Sequence, residues 1–377
     1  MSEQPQPKTI GILKSPNDPR VCLLPKEVKR LTGELKLTVL FEPGLGSSLE
    51  IDDKDYVEAG ANSASKESIL KNSDTIVSIS HTFSEVEMKG GCCFIGFFNP
   101  LFHDTKFETF KNNNATVYSL DLLPRTTLAQ SMDVLSSMAS LAGYRAVIKA
   151  TEIYNGVFPM FTTAAGTLTP VKVLVLGAGV AGLQAIATAR RLGAVVEAFD
   201  VRKSAGEEVR SLGATFIEVA GYTESENAGG YAVAQSEEYL QRQKELIHNH
   251  IRTANIVIST ANIPGKKAPL LVETRSVEAM KPGSIIIDLA AEQGGNCELS
   301  KNIEVIKHHG VTIVGNSNLS AEIPAAASQL LSNNYFSFLK YKQKNENNND
   351  DPLLTASCIL KKGEWSHPHF TKTLQPA

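Results

Sequence analysis

The stretch "VLVLGAGVAGLQAIATARRLGAVVEAFD", residues 173–200, decides the fold. An apolar run leads into Gly177, Gly179 and Gly182, spaced G-x-G-x-x-G. An alanine-rich segment follows, and then a second apolar run that ends in Asp200. Strand, glycine turn, helix and a second strand closing on an acid are the parts of a βαβ dinucleotide-binding unit. Gly177 permits the tight turn, Gly179 lets backbone approach a pyrophosphate, and Gly182 lets helix and strand pack closely. The helix opening at Val180 aims its N-terminal N–H groups and positive dipole end at the phosphates, so Ala178, Val180 and Ala181 join the candidate contacts. A glycine pattern alone is a weak signal. Here the flanking strand, helix and acid supply its context.

Asp200 is placed to accept from the adenosine ribose 2′-hydroxyl, and its charge repels a 2′-phosphate, which favours NAD over NADP. Val201 and Arg202 follow it in the candidate set. Arg202 and Lys203 can be read two ways: as cations that hold a 2′-phosphate, or as ordinary solvated charge.

Working outward, residues 171–315 read as an α/β unit. Its strands are expected at Val171–Leu176, Ala194–Phe199, Ala214–Val219, Asn255–Ser259, Ser284–Leu289 and Val311–Val314, with helices in most of the gaps. Six strands in series behind a glycine turn predict a Rossmann doubly wound parallel sheet. The first third also alternates. "KTIGILK", "LTVLFEPG", "TIVSIS" and "CCFIGFF" read as strands and "PKEVKRLTGEL" as a helix, which predicts a second Rossmann-like (flavodoxin-like) α/β domain. A proline-free helix is expected over residues 130–154, with the turn "AAGTLTP" after it, and another helix over 320–341. The expected division is 1–128 with 322–377 as a discontinuous first domain, and 129–321 as the nucleotide-binding domain. Residues 221–235, rich in small and polar types, and "KQKNENNNDDP" (342–352) read as loops.

The chain has 377 residues, 42% hydrophobic and 20% charged, with a net charge of −3, which gives no footprint for nucleic acid. The five cysteines, Cys22, Cys92, Cys93, Cys297 and Cys358, lack metal-ligand spacing and read as reduced thiols; no metal site is expected. The first residues, "MSEQPQPK", contain no apolar core of the kind a signal peptide carries. No apolar stretch reaches the ~18 residues of a spanning helix, so any work at a membrane is expected to go through other chains.

A second polar set stands in "RTTLAQSMDVLSS". On a helix, Gln130, Asp133 and Ser137 would share one face, with Ser136 at its margin and Arg125 just before it. A cation, an amide, a carboxylate and hydroxyls together suit a carboxamide and a ribose. The plain alternative is a solvated face with Gln130 or Ser131 near the helix start.

These segments, with "FPMFTTAAGTLTPVKVLVLGAGVAGLQ", "IPGKKAPLLVETRSVEAMKPGSIIIDLAAEQGGNCE" and "AGGYA", resemble the NAD(H)-binding component of proton-translocating nicotinamide nucleotide transhydrogenases, in the alanine dehydrogenase/transhydrogenase superfamily. The likeness runs from "GILKSPNDPRVCLLPKEVKRL" to about "NNYFSFLK". It implies that Arg125, Gln130, Asp133 and Ser136 surround the nicotinamide, that Gly230 and Tyr231 belong to a loop closing over the nucleotide, and that Ala261 lies in the cofactor site. The lid departs from the family's Lys-Glu-Met at Val233, Ala234 and Gln235. The resemblance further implies a homodimer that binds NAD(H). NADP(H) would be held by a partner subunit, and membrane subunits would translocate protons. The location would be cytoplasmic, attached peripherally to the inner (plasma) membrane through those partners.

The related alanine dehydrogenases need a lysine and a histidine for pyruvate binding and proton transfer. The corresponding stretches here, "IVSISHTFSEVE" and "FIGFFNPLF", offer no lysine at the first and Asn99 or a neighbour at the second. His81 and His103 read as loop histidines. Arg20 is common to both families. Glu292 stands where the dehydrogenase has an aspartate. Direct hydride transfer between two nicotinamides releases no proton at the reacting carbon, so no general acid is required. The expectation is thus a transhydrogenase component, active only with its partner. The alternatives are a free-standing alanine dehydrogenase-type enzyme and a non-catalytic NAD-responsive module.

Overall fold

The structure is a computed structural model, and residues 8–80, 88–102, 107–219, 237–348 and 350–373 are described. The chain divides into two compact units, Met1–Met138 with Ile323–Ala377, and Ala139–Glu322. Both are α/β, as the alternation predicts.

In the second unit, Lys172–Leu176 is the third strand across a seven-stranded sheet. Val195–Phe199 and Thr215–Ile217 lie to one side of it. Ile256–Ser259, Ile285–Asp288 and Val311–Gly315 lie to the other, all parallel. This is the doubly wound order, with the chain reversing direction across the sheet beside the first strand. Alternate residues of "KVLVL" feed opposite faces. Val173 and Val175 join one core with Ile256, Ile258 and Ala185, and Leu174 and Leu176 join the other with Val257 and Ile286. Burial on both sides is why these strands read as continuous apolar runs.

The six expected strands are present, with bounds that differ by a few residues. A seventh, Glu304–His308, pairs antiparallel with Val311–Gly315 at the sheet edge. Its residues are half-buried or exposed, so no apolar run announces it. Of residues 164–170, expected as a turn, Gly166–Leu168 instead form a strand that pairs antiparallel with Phe161–Thr163.

The sheet of the first unit has eight strands. Thr9–Ile12, Thr38–Phe41, Ala61–Ser63, Thr75–Val77, Cys93–Gly96 and Thr116–Ser119 are parallel and follow the spatial order 3-2-1-4-5-6. The flavodoxin-like comparison therefore holds for the layers and not for the strand order. Cys358–Lys361 and Glu364–Trp365 extend the sheet antiparallel beyond Thr116–Ser119. The helix Pro324–Lys344 is pinned within the same unit by hydroxyls. Ser328 accepts from the Val21 N–H at 2.8 Å, Ser332 accepts from the Leu24 N–H at 2.8 Å, and Tyr335 donates to the Ser78 carbonyl at 2.8 Å. The helix runs three residues into the polar stretch expected to be a loop. Asp351 then caps the helix Pro352–Ser357 and accepts from Tyr341 at 2.6 Å.

All five cysteines are free and buried, and burial pushes Cys22, Cys92 and Cys297 up to about 12, so they pack as inert thiols. Among the described residues no helix is long and apolar enough to cross a membrane.

Asp121 lies in the 3-10 turn Leu120–Leu122 after the sixth parallel strand. Desolvation pushes its carboxyl up to about 6, against the lowering effect of hydrogen bonds from the Ser119 hydroxyl and the Asp121, Phe98 and Asn99 backbone. The folded state then holds a proton that the unfolded chain has released. This contribution to stability is full below the ordinary carboxylate pKa and is lost as pH rises through about 6. Urea unfolding from pH 4 to 7 is expected to show that loss, and Asp121→Asn should flatten it. Parallel profiles for the two proteins would contradict the assignment.

Candidate nucleotide site

The glycine turn joins the strand Lys172–Leu176 to the helix Val180–Arg191. Gly177 has φ +100°, and a Cβ there would come 2.7 Å from the Thr260 hydroxyl. A Cβ on Gly182 would sit 1.8 Å from the Gly177 carbonyl oxygen, so the first helical turn rests directly on the loop. A Cβ on Gly179 would meet nothing within 4 Å. Gly179 is the N-cap, and no side chain caps the helix. The start of the helix is left with donors and a positive dipole end that an anion can use.

Two neighbouring strand ends brace the turn. Thr260 donates to the Gly177 carbonyl at 3.0 Å. Asn296, fully buried, accepts from the Ala261 N–H at 3.0 Å and donates to the Ala261 carbonyl at 2.8 Å. Asp288, also fully buried, receives Ser259, Ser300 and the N–H groups of Ala290 and Cys297. Its hydrogen bonds make it a structural acid that orders the strand ends.

Asp200 closes the second strand. Its Oδ2 accepts from the Ala178 N–H at 2.8 Å and from Arg202 Nη2 at 3.1 Å. Its Oδ1 accepts from the Arg202 N–H at 2.9 Å and from Arg202 Nε at 3.0 Å. The carboxylate thus ties the glycine turn to the Val201–Arg202 segment. Arg202, one of two cations whose role the sequence left open, is paired with this acid.

In the first unit, Gln130 lies in the 3-10 turn Gln130–Met132, and the α-helix begins only at Val134. The helix expected from residue 130 therefore starts four residues later. The polar stripe is a turn followed by a cap and not one helical face. Asp133 is the capping residue: it accepts from the Ser136 N–H at 2.9 Å and from the Ser136 hydroxyl at 2.6 Å. The structure brings Asp133 and Ser136 together, and leaves Arg125 and Gln130 solvent-exposed. Asn334 donates to the Ser131 carbonyl at 2.9 Å and so holds the turn that carries Gln130. His81, His103, Gly230, Tyr231 and Val233–Gln235 lie outside the described residues.

Two family models match the chain. Alanine dehydrogenase/PNT, N-terminal domain, covers residues 14–142, and alanine dehydrogenase/PNT, C-terminal domain, covers 146–368. The chain belongs to the alanine dehydrogenase/PNT family. It is 40% identical over 373 residues to the first segment of the NAD(P) transhydrogenase alpha subunit of Rhodospirillum rubrum, covering 95% of this chain and 97% of that one. A crystal structure of transhydrogenase from Sinorhizobium meliloti superposes with a TM-score of 0.87 at 40% identity, over 95% of this chain and 100% of that chain. An L-alanine dehydrogenase structure shares the fold, with a TM-score of 0.79 at 24% identity over 97% of this chain and 98% of that one.

Arg20 is buried and already grips a carboxylate. Its Nε donates to Asp18 Oδ1 at 2.9 Å and its Nη2 to Asp18 Oδ2 at 2.6 Å. This fork is the geometry with which a guanidinium holds a substrate carboxylate. Asn99, half-buried at φ +49°, carries no titratable group, and Glu292 is exposed.

Thr260, Asn296 and Gly143 escaped the sequence reading. A Cβ on Gly143 would sit 2.0 Å from the Ala181 carbonyl oxygen, so the long helix and the nucleotide-turn helix touch backbone to backbone. Its signal was a glycine inside a helical pattern, which costs stability unless packing requires it. Gly143→Ala is expected to destabilise the protein by about 1–3 kcal/mol in urea unfolding, the usual penalty for overpacking. Asp133→Ala should cost about 1 kcal/mol through loss of the cap. An unchanged midpoint for Gly143→Ala would mean that the two helices separate freely.

Proposed function

We propose that this chain is the NAD(H)-binding component of an NAD(P) transhydrogenase, passing hydride between its own NAD(H) and NADP(H) held by a partner subunit. The observation that carries the reading is the 40% identity to a transhydrogenase alpha subunit over nearly the full length of both chains. The uncapped helix start behind the glycine turn supports it, as a seat for a pyrophosphate. So does Asp200, as the acceptor for the adenosine ribose. By the family resemblance, Arg125, Gln130, Asp133 and Ser136 serve the nicotinamide end, with Gln130 aligning the ring for transfer. The protein's task is to set two rings at near-attack distance and to exclude water; no side chain has to move a proton.

In this reading the protein works as a homodimer beside membrane-spanning and NADP(H)-binding subunits, at the cytoplasmic face of the inner membrane. Proton translocation belongs to those partners. The lack of a lysine in "IVSISHTFSEVE" and of a histidine in "FIGFFNPLF" speaks against a free-standing amino-acid dehydrogenase.

Hydride transfer from NADPH to an NAD analogue should occur only when the chain is mixed with a soluble NADP(H)-binding component of a transhydrogenase. Oxidation of NADH by pyruvate and ammonium with this chain alone would overturn the proposal. Gln130→Asn should leave NADH binding close to normal while transfer in the mixture falls at least tenfold. Unchanged transfer would remove Gln130 from its role.

A further inference from the structure

In the second unit, the hairpin between Glu304–His308 and Val311–Gly315 turns through two residues, His309 and Gly310, since His308 pairs with Val311. Both central residues have positive φ, +48° and +77°. That is the type I′ requirement, for which Asn-Gly is the favoured pair. A histidine at the first position is uncommon and puts two imidazoles side by side. The rings of His308 and His309 lie 4.7 Å apart, inclined by 27°.

Both face one carboxylate. His308 Nε2 lies 3.0 Å and His309 Nε2 3.8 Å from Glu278 Oε1. One ligand atom from each of the three residues falls within 4.8 Å of the others. Glu278 is the last residue of the helix Thr274–Glu278, where the dipole disfavours an anion and favours a cation beside it. The two segments are braced against each other. The Gly283 N–H donates to the Gly310 carbonyl at 2.8 Å, and a Cβ on Gly310 would come 3.0 Å from Pro282 Cβ.

We propose that Glu278, His308 and His309 form a surface site for a divalent transition metal ion of the zinc class. Two imidazoles and a carboxylate match the ligand preference of Zn2+ and disfavour Mg2+ or Ca2+, which take oxygen. Coordination needs metal–nitrogen distances of about 2.0–2.1 Å. Two ligand atoms of a tetrahedral ion bound at that distance stand about 3.3 Å apart, and the separations of 3.0 and 3.8 Å from the imidazole nitrogens to Glu278 Oε1 bracket that value. All three side chains are partly exposed, so water completes the coordination shell and the ion exchanges with solvent.

The test uses untagged full-length protein stripped with chelator and titrated with Zn2+ by calorimetry, with Co2+ absorption as a second probe. About one ion per chain is expected, tighter than about 100 µM. His309→Asn keeps the favoured turn pair and should weaken binding at least tenfold, and Glu278→Gln should weaken it as well. Absence of binding at about 100 µM, or binding that neither substitution changes, would overturn the site.

Discussion

Close approach of backbone to backbone at two glycines is the constraint on which the nucleotide-binding unit depends. At Gly182 the helix rests on the carbonyl of Gly177, and at Gly143 a second helix rests on the carbonyl of Ala181. Neither contact admits a β-carbon. Together they fix where the first turn of Val180–Arg191 begins, and that turn is the one proposed to seat a pyrophosphate. The neighbouring strand ends then lock the loop from the side through Thr260, Asn296 and the carboxylate of Asp200. The seat is built mostly from main chain and needs few distinctive side chains.

That explains how much could be read from the sequence. Strands buried on both faces, such as "KVLVL" and "IIID", declare themselves as apolar runs, and Gly177, Gly179 and Gly182 punctuate them. The edge strand Glu304–His308 did not, because an exposed edge has no buried face to impose alternation. The onset of the long helix was misplaced for a different reason. "AQSMDV" has helical composition, and the stop at Asp133 follows from a local side-chain to backbone hydrogen bond to Ser136, which competes with helix propensity. The pattern of Arg125, Gln130, Asp133 and Ser136 is equally that of a solvated face, and only the family resemblance singles them out. The hydrogen bond from Asn334 to Ser131 depends on a residue two hundred positions away and leaves no local trace.

The Asp18–Arg20 pair is a local solution to a buried charge. The two residues stand two positions apart, so one short segment presents the carboxylate to the guanidinium, and the forked hydrogen bonds offset the cost of taking both from water.

Asp200 has a consequence of its own. An ionised carboxylate offers about four acceptor directions, and here two backbone N–H groups and two guanidinium nitrogens take them. In the proposed role, a ribose hydroxyl cannot simply add to this acid. It must exchange with a donor already in place, so that bonds broken offset much of what is gained. In that role the acid adds little net hydrogen bonding when the ribose arrives. Asp200 then acts as a shape that the sugar must match, already held in place by the chain before any nucleotide arrives.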